Sequence, residues 1–275
     1  MFQRLSLASL AVVIAPLALP AQEAPAPDAL FDALRLTEMV GIMREEGLAY
    51  GAEIGSDLFG GAPPANWETT VSDIYDPARL EAQVRQALAE ATAEMDTGPI
   101  VAFFTTAPGS TFIEMEVSAR RALLDEEVEQ MAKEQAAVAM VDQTPLFQQV
   151  SRFVEVNDLV ETNVVAAMNS TYAFYLGLMD GGAFPPDMTE SDMLGDVWEQ
   201  EAMIRANTEE WVYSFLLMAY GPLPPEDLEA YIAFSETDAG RAANRAVFGA
   251  FDGMFEDISL ALGRAAARYM ATEEL

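Results

Sequence analysis

Apolar residues recur at helical spacing along most of the chain. From Asp28 onward, Leu30, Leu34, Met39, Ile42 and Met43 share one side, with Arg35, Glu38 and Glu45 on the other. That is the pattern of a helix buried along one stripe. Gly60-Gly61 and Pro63-Pro64 interrupt it, and Trp67 follows in what reads as a loop. Asp76-Pro77 is a helix start, an N-cap acid before a proline at the first helical position. Leu80, Val84, Ala87, Leu88 and Ala91 continue it as one stripe. After Thr97-Gly98-Pro99 the pattern predicts a short helix over Ile100 to Phe104 and a long one from about Gly109 to Met140. Thr144-Pro145 repeats the cap-then-proline start and opens a helical stretch from Leu146 to Met179. Gly181-Gly182 and Pro185-Pro186 end it. Thr189 to Tyr220 is helical again, Pro224-Pro225 starts a short helix to about Glu236, and a last helix runs from near Asp238 to Met270. No period-two alternation bounded by turn residues occurs, so the predicted fold class is all-α with no sheet.

The order of events repeats. Val101-Ala102-Phe103-Phe104-Thr105-Thr106-Ala107-Pro108-Gly109 lies over Ile232-Ala233-Phe234-Ser235-Glu236-Thr237-Asp238-Ala239-Gly240. Leu34 to Val40 lies over Val154 to Val160. The predicted architecture is a helical bundle made of two pseudo-repeated units, 28–143 and 144–275, after a leader (1–21) and a linker (22–27). In each copy the matched residues form a short helix, a tight turn and the start of a long helix. Thr106 and Thr237 sit where an N-cap belongs, and Gly109 and Gly240 fall in the first turn, where a missing Cβ lets two helices approach. These four residues make a structural corner, not a catalytic one.

The run Pro225-Glu226-Asp227-Leu228-Glu229-Ala230-Tyr231-Ile232-Ala233-Phe234, followed by Thr237-Asp238-Ala239-Gly240-Arg241, resembles the signature of the bacterial domain-of-unknown-function family 2059. The resemblance spans about Pro224 to Met270. In the first half Gly98-Pro99 replaces the acidic start and Ser110 stands where the second half has Arg241. Members of that family are small exported all-helical proteins without an established activity, so the resemblance implies fold and export rather than a reaction.

Composition narrows the chemistry. The 275 residues carry 14 Lys+Arg against 45 Asp+Glu, a formal net charge of -31. Such a surface repels nucleic acid and anionic lipid, and attracts cations or a basic partner. The sequence holds neither Cys nor His, which excludes thiol catalysis, disulfides, Cys/His zinc sites, a Ser-His-Asp triad and acylation of a cysteine as a lipid anchor.

The first 21 residues read as a secretory signal: Arg4, an apolar stretch from Leu5 to Leu19, then Pro20-Ala21 before a polar segment. The stretch is short for a spanning helix and Pro16 interrupts it. Trp211 to Tyr220 is apolar but closed by Gly221-Pro222, so it reads as a core helix. The expectation is export with cleavage, a mature chain without a membrane span, and, in a Gram-negative host, the periplasm.

Three kinds of chemistry remain. Carboxylates are abundant, but with so many acids no pair stands out as a glycosidase couple. Asp187, Glu190, Asp192 and Asp196 cluster near a helix start without calcium-loop spacing, where the helix dipole favours acids in any case. Met and Phe are frequent, 15 of each; Phe248, Phe251, Met254 and Phe255 follow helical spacing and read as core. No catalytic, cofactor or metal residue is nominated. The leading expectation is a non-catalytic interaction or scaffold protein with a protein partner and a homo-oligomer left open. A carrier of an apolar ligand, and a carboxylate- or metal-dependent enzyme, are the alternatives.

Overall fold

A computed structural model describes residues 28–61, 63–185 and 187–273. The expected leader and linker lie outside them. Among the described residues there are thirteen helices and no strand. The first series comprises α1 (Ala29–Ala33), α2 (Leu36–Leu58), α3 (Trp67–Ile74), α4 (Pro77–Ala91), α5 (Gly98–Phe104), α6 (Gly109–Ala122) and α7 (Glu126–Asp142). The second comprises α8 (Pro145–Val156), α9 (Leu159–Asp180), α10 (Glu190–Glu199), α11 (Glu201–Tyr220), α12 (Pro225–Ser235) and α13 (Asp238–Glu273). The all-α class holds.

Local chemistry sets several of the starts. Asp76 accepts a hydrogen bond from the Arg79 N–H, and Thr144 from the Phe147 N–H, each with proline as the first helical residue. Thr189 and Asp192 cap one another reciprocally at α10. Asp125 accepts from the Glu127 and Val128 N–H groups and starts α7. That last cap corrects the expected single helix from Gly109 to Met140, which breaks at Leu123–Asp125. The stretch from Leu146 to Met179 also divides, at Asn157–Asp158, where Asp158 is left-handed with φ 52° and the Asn157 side chain donates to the Phe153 carbonyl. The stretch from Thr189 to Tyr220 divides at Gln200. Trp67 opens α3 instead of lying in a loop; it is fully buried and donates to the Gly51 carbonyl at 2.7 Å.

Arg35, between α1 and α2, is left-handed like Asp158 between α8 and α9. The two links therefore pair Arg35 with Asp158, three residues away from the pairing suggested by sequence.

One core serves both series. It runs from Leu30 and Phe31 through Leu80, Val84 and Phe112 to Tyr220, Leu228, Ile232 and Met254. Burying each such side chain is worth about 1.5–3 kcal/mol. α13 is the spine, lying along α9 and packing on α4, α3 and α12, while α11 packs on α6, α7 and α9. The α9–α13 crossing is close because glycines meet there. A Cβ on Gly263 would lie 2.1 Å from the Phe174 carbonyl oxygen, and one on Gly177 2.3 Å from that of Leu260. No described helix is long and apolar enough to cross a membrane.

Candidate functional site

The two corners come together. α5 leads into α6 and α12 into α13, and the matched phenylalanines Phe103 and Phe234 stack face to face, with centroids 4.0 Å apart and planes 2° from parallel. Gly109 and Gly240 do the same work: a Cβ on either would press on the carbonyl oxygen of its own phenylalanine, Phe103 at 2.3 Å or Phe234 at 2.2 Å. The threonines differ. Thr237 accepts from the Gly240 N–H at 3.0 Å and caps α13. Thr106 instead donates to the Ala102 carbonyl at 2.8 Å, and Pro108 occupies the cap position of α6 with no side-chain cap bond. Thr106 is thus not the N-cap that its position suggested, because α6 starts at Gly109, three residues beyond it.

Behind the corner lies a feature the sequence reading missed. Phe112 on α6, Phe153 on α8, Tyr220 on α11 and Tyr231 on α12 meet edge to face or tilted, all of them buried. Into this aromatic group α6 places Glu116, whose carboxylate accepts from the Tyr220 hydroxyl at 2.7 Å. Burial pushes the Glu116 carboxyl up to about 7, against the downward pull of that hydrogen bond. Both tyrosines are pushed up in turn, chiefly by burial and then by the neighbouring carboxylate. The arrangement can take up and release a proton near neutrality. Its sequence signal was present: Phe112, Ile113 and Val117 form an apolar stripe, and Glu116 falls on that stripe four residues after Phe112.

The second missed feature is on the surface. Outside the core, large apolar side chains stand in solvent: Val138 and Val141 on α7, Trp198 on α10 and Met203 on α11, with Trp198 67% and Val141 81% exposed. Only two alanines, Ala132 and Ala136, anchor α7 as fully buried positions. Tyr50 and Leu58 on α2 are also exposed, at 54% and 38%.

The acidic cluster is occupied with structural tasks. Asp192 is held by Thr189, whose hydrogen bonds lower its carboxyl, and Glu190 accepts from the Tyr172 hydroxyl. Among the described residues no group of acids could hold a metal ion. On α13, Asp252 and Glu256 stand one turn apart; burial and then the Asp252 charge raise the Glu256 carboxyl. One depression of about 580 Å³ lies between α8 and α12, lined by Leu146, Gln149, Arg152, Leu228 and Glu229. Its polar wall is already paired, Arg152 to both Glu229 oxygens at 3.1 and 2.9 Å and Gln149 to Glu229 at 3.0 Å. Neither this depression nor the one beside Asp180 and Arg264 is closed off from solvent.

No known family, curated protein or solved structure matches the chain.

Proposed function

We propose that the protein is a non-catalytic interaction module of the exported compartment, built from two copies of one helical unit and binding protein partners through helix faces. The observation that carries this reading is the set of exposed apolar side chains, Val138, Val141, Trp198 and Met203 foremost, standing on an acidic surface. A monomer gains nothing by leaving such residues in water, and exposed apolar side chains amid polar surface are where contact sites form. Aromatic and Met residues are also those most used at the centre of interfaces. The two-copy architecture is supported by the stacked phenylalanines and the paired left-handed links. The resemblance to the domain-of-unknown-function family rests on the second corner and its acidic helix. In this reading the first 21 residues are removed on export and the module works in the periplasm.

Native mass spectrometry of the mature protein purified from its own host tests the reading. A complex with a second protein is the expected result. A co-purifying small apolar molecule in place of a protein would support the carrier alternative and overturn this one.

A further inference from the structure

The two series also differ in how the long helix after each corner continues. α13 runs unbroken for 36 residues, and its C-terminal half lies on α9. There Gly263 meets Gly177, Ala267 meets Gly181, and Arg264 pairs with Asp180 at 2.6 Å. Tyr269 reaches on to share a hydrogen bond of 2.9 Å with Thr70.

α6 leaves the equivalent corner and sets off beside α2. Arg120 grips both Glu46 oxygens at 2.9 and 2.8 Å, and Arg121 stands 3.8 Å from Glu45. But α6 stops at Ala122, and Asp125 starts α7 along α11, where Lys133 stands 3.6 Å from Glu210. The rest of α2 is left without the cover that α13 gives α9. Among the described residues from Ala49 to Leu58 the buried positions are Gly51 and Gly55, both facing α3. Tyr50 and Leu58 are exposed and Ile54 is half-buried. Counted from the left-handed residues Arg35 and Asp158, Ile54 falls where Gly177 does, Leu58 where Gly181 does, and Asp57 where Asp180 does. Asp180 has its arginine; Glu53 and Asp57 have no ion pair among the described residues.

We propose that this strip of α2 is a docking site for a single amphipathic helix of a protein partner, basic along the edge that faces Glu53 and Asp57. The inference rests on the interaction reading above and gives it a place and a partner chemistry. The helix takes the position on α2 that the C-terminal half of α13 takes on α9. Its apolar edge covers Tyr50, Ile54 and Leu58, and an arginine meets Asp57 as Arg264 meets Asp180. Ile54 in place of a glycine sets an ordinary interaxial distance of about 8–10 Å, with room for Leu, Ile or Met on the partner. Charge selects against a second copy: the chain carries -31 overall, and its own α7 holds Glu126, Glu127, Glu129, Glu134 and Asp142 against Lys133 alone.

The test uses two fluorescein-labelled synthetic peptides of about 18 residues, long enough for roughly five helical turns. Both contain the same Leu, Ala and Arg residues. One presents leucines on a single helical stripe with arginines flanking it, and the other is shuffled to destroy the stripe. Anisotropy titrations use the full mature chain. The expected result is saturable binding of the striped peptide, at least about tenfold tighter than the shuffled one. Leu58→Glu and Asp57→Arg, both at exposed positions, weaken it by about tenfold or more, while Gln130→Glu, at an exposed polar position of α7, leaves it unchanged. Circular dichroism checks that every variant is folded. Equal binding of both peptides, or binding of neither, overturns the inference. So does loss with Val141→Glu or Trp198→Glu alone, which moves the contact to α7 or α10 and leaves the broader interaction reading standing. A homodimer abolished by Leu58→Glu assigns the strip to a second copy and also overturns it.

Discussion

Glu116→Gln should make the protein more stable at pH 8 and leave it unchanged at pH 4. The Glu116 carboxyl titrates at about 7 in the folded chain against an ordinary 4.5, because burial among Phe112, Tyr220 and Tyr231 penalises its charged form. A raised carboxyl means that the folded state holds this proton more tightly than the unfolded chain does. Its contribution is therefore fully present below about pH 4.5 and is lost as pH rises through about 7, then stays level. A tenfold change in proton affinity between the two states corresponds to about 1.36 kcal/mol, so the loss is about 3 kcal/mol. Glu116 keeps a little solvent contact, which makes that figure an upper value. The glutamine is nearly isosteric, can still bond the Tyr220 hydroxyl, and never charges. Acidification also relieves the general repulsion of a chain at -31, but that relief is common to wild type and variant and cancels in their difference. Urea unfolding at a series of pH values, followed by far-UV circular dichroism, gives the difference directly. The variant should gain up to about 3 kcal/mol at pH 8, or roughly 6–12 °C in Tm, and the gap should close by pH 4.5. A variant destabilised by the same amount at every pH would refute the reasoning, since that would mean Glu116 acts through packing or its hydrogen bond and not through a buried charge.

Three further outcomes follow from the packing. Phe103→Ala and Phe234→Ala should be coupled, with a double-mutant cycle in urea returning about 0.5–1.5 kcal/mol of interaction between the stacked rings; strict additivity would mean that the contact contributes nothing beyond burial. Thr237→Ala should cost about 1 kcal/mol and Thr106→Ala less than about 0.5 kcal/mol in the same assay, because only Thr237 caps a helix. On α13, Gly263→Ala should destabilise by about 1–3 kcal/mol as its Cβ meets the α9 backbone, whereas Gly249→Ala and Gly253→Ala, where the added Cβ meets open space, should each stabilise by about 0.5–1 kcal/mol, all read from Tm.

What the sequence conveyed was local. Asp76-Pro77 and Thr144-Pro145 announce their helices because cap and proline act within one turn. The Gly/Pro loops end α2 and α9 where expected, with Gly60, Gly61 and Gly182 at positive φ. The missed breaks fall where helical periodicity continues across the join. At Asp158 the backbone turns left-handed without a glycine to signal it, and at Asp125 the cap is legible only once the run from Gly109 is doubted. Trp67 follows Pro63 and Pro64 so closely that it resembled loop, yet its ring fills the space that Gly55 leaves on α2 and its indole N–H reaches the Gly51 carbonyl. For Glu116 the stripe it lies on was legible but its partners were not, since its environment is assembled by α8, α11 and α12, all distant in sequence. The exposure of Val141 and Trp198 is equally a tertiary fact, since α7 and α10 carry apolar residues that a one-dimensional pattern assigns to the core.

The claim that helix faces of this molecule bind protein is tested most directly by site-specific photo-crosslinking in the living host. A photoreactive residue would replace Trp198, Val141 or Tyr50 in turn, with exposed Gln130 on α7 as the polar control. The account predicts discrete protein adducts from one or more of the apolar positions and none from Gln130. No adduct from any apolar position, or equal diffuse labelling from all four, would contradict it.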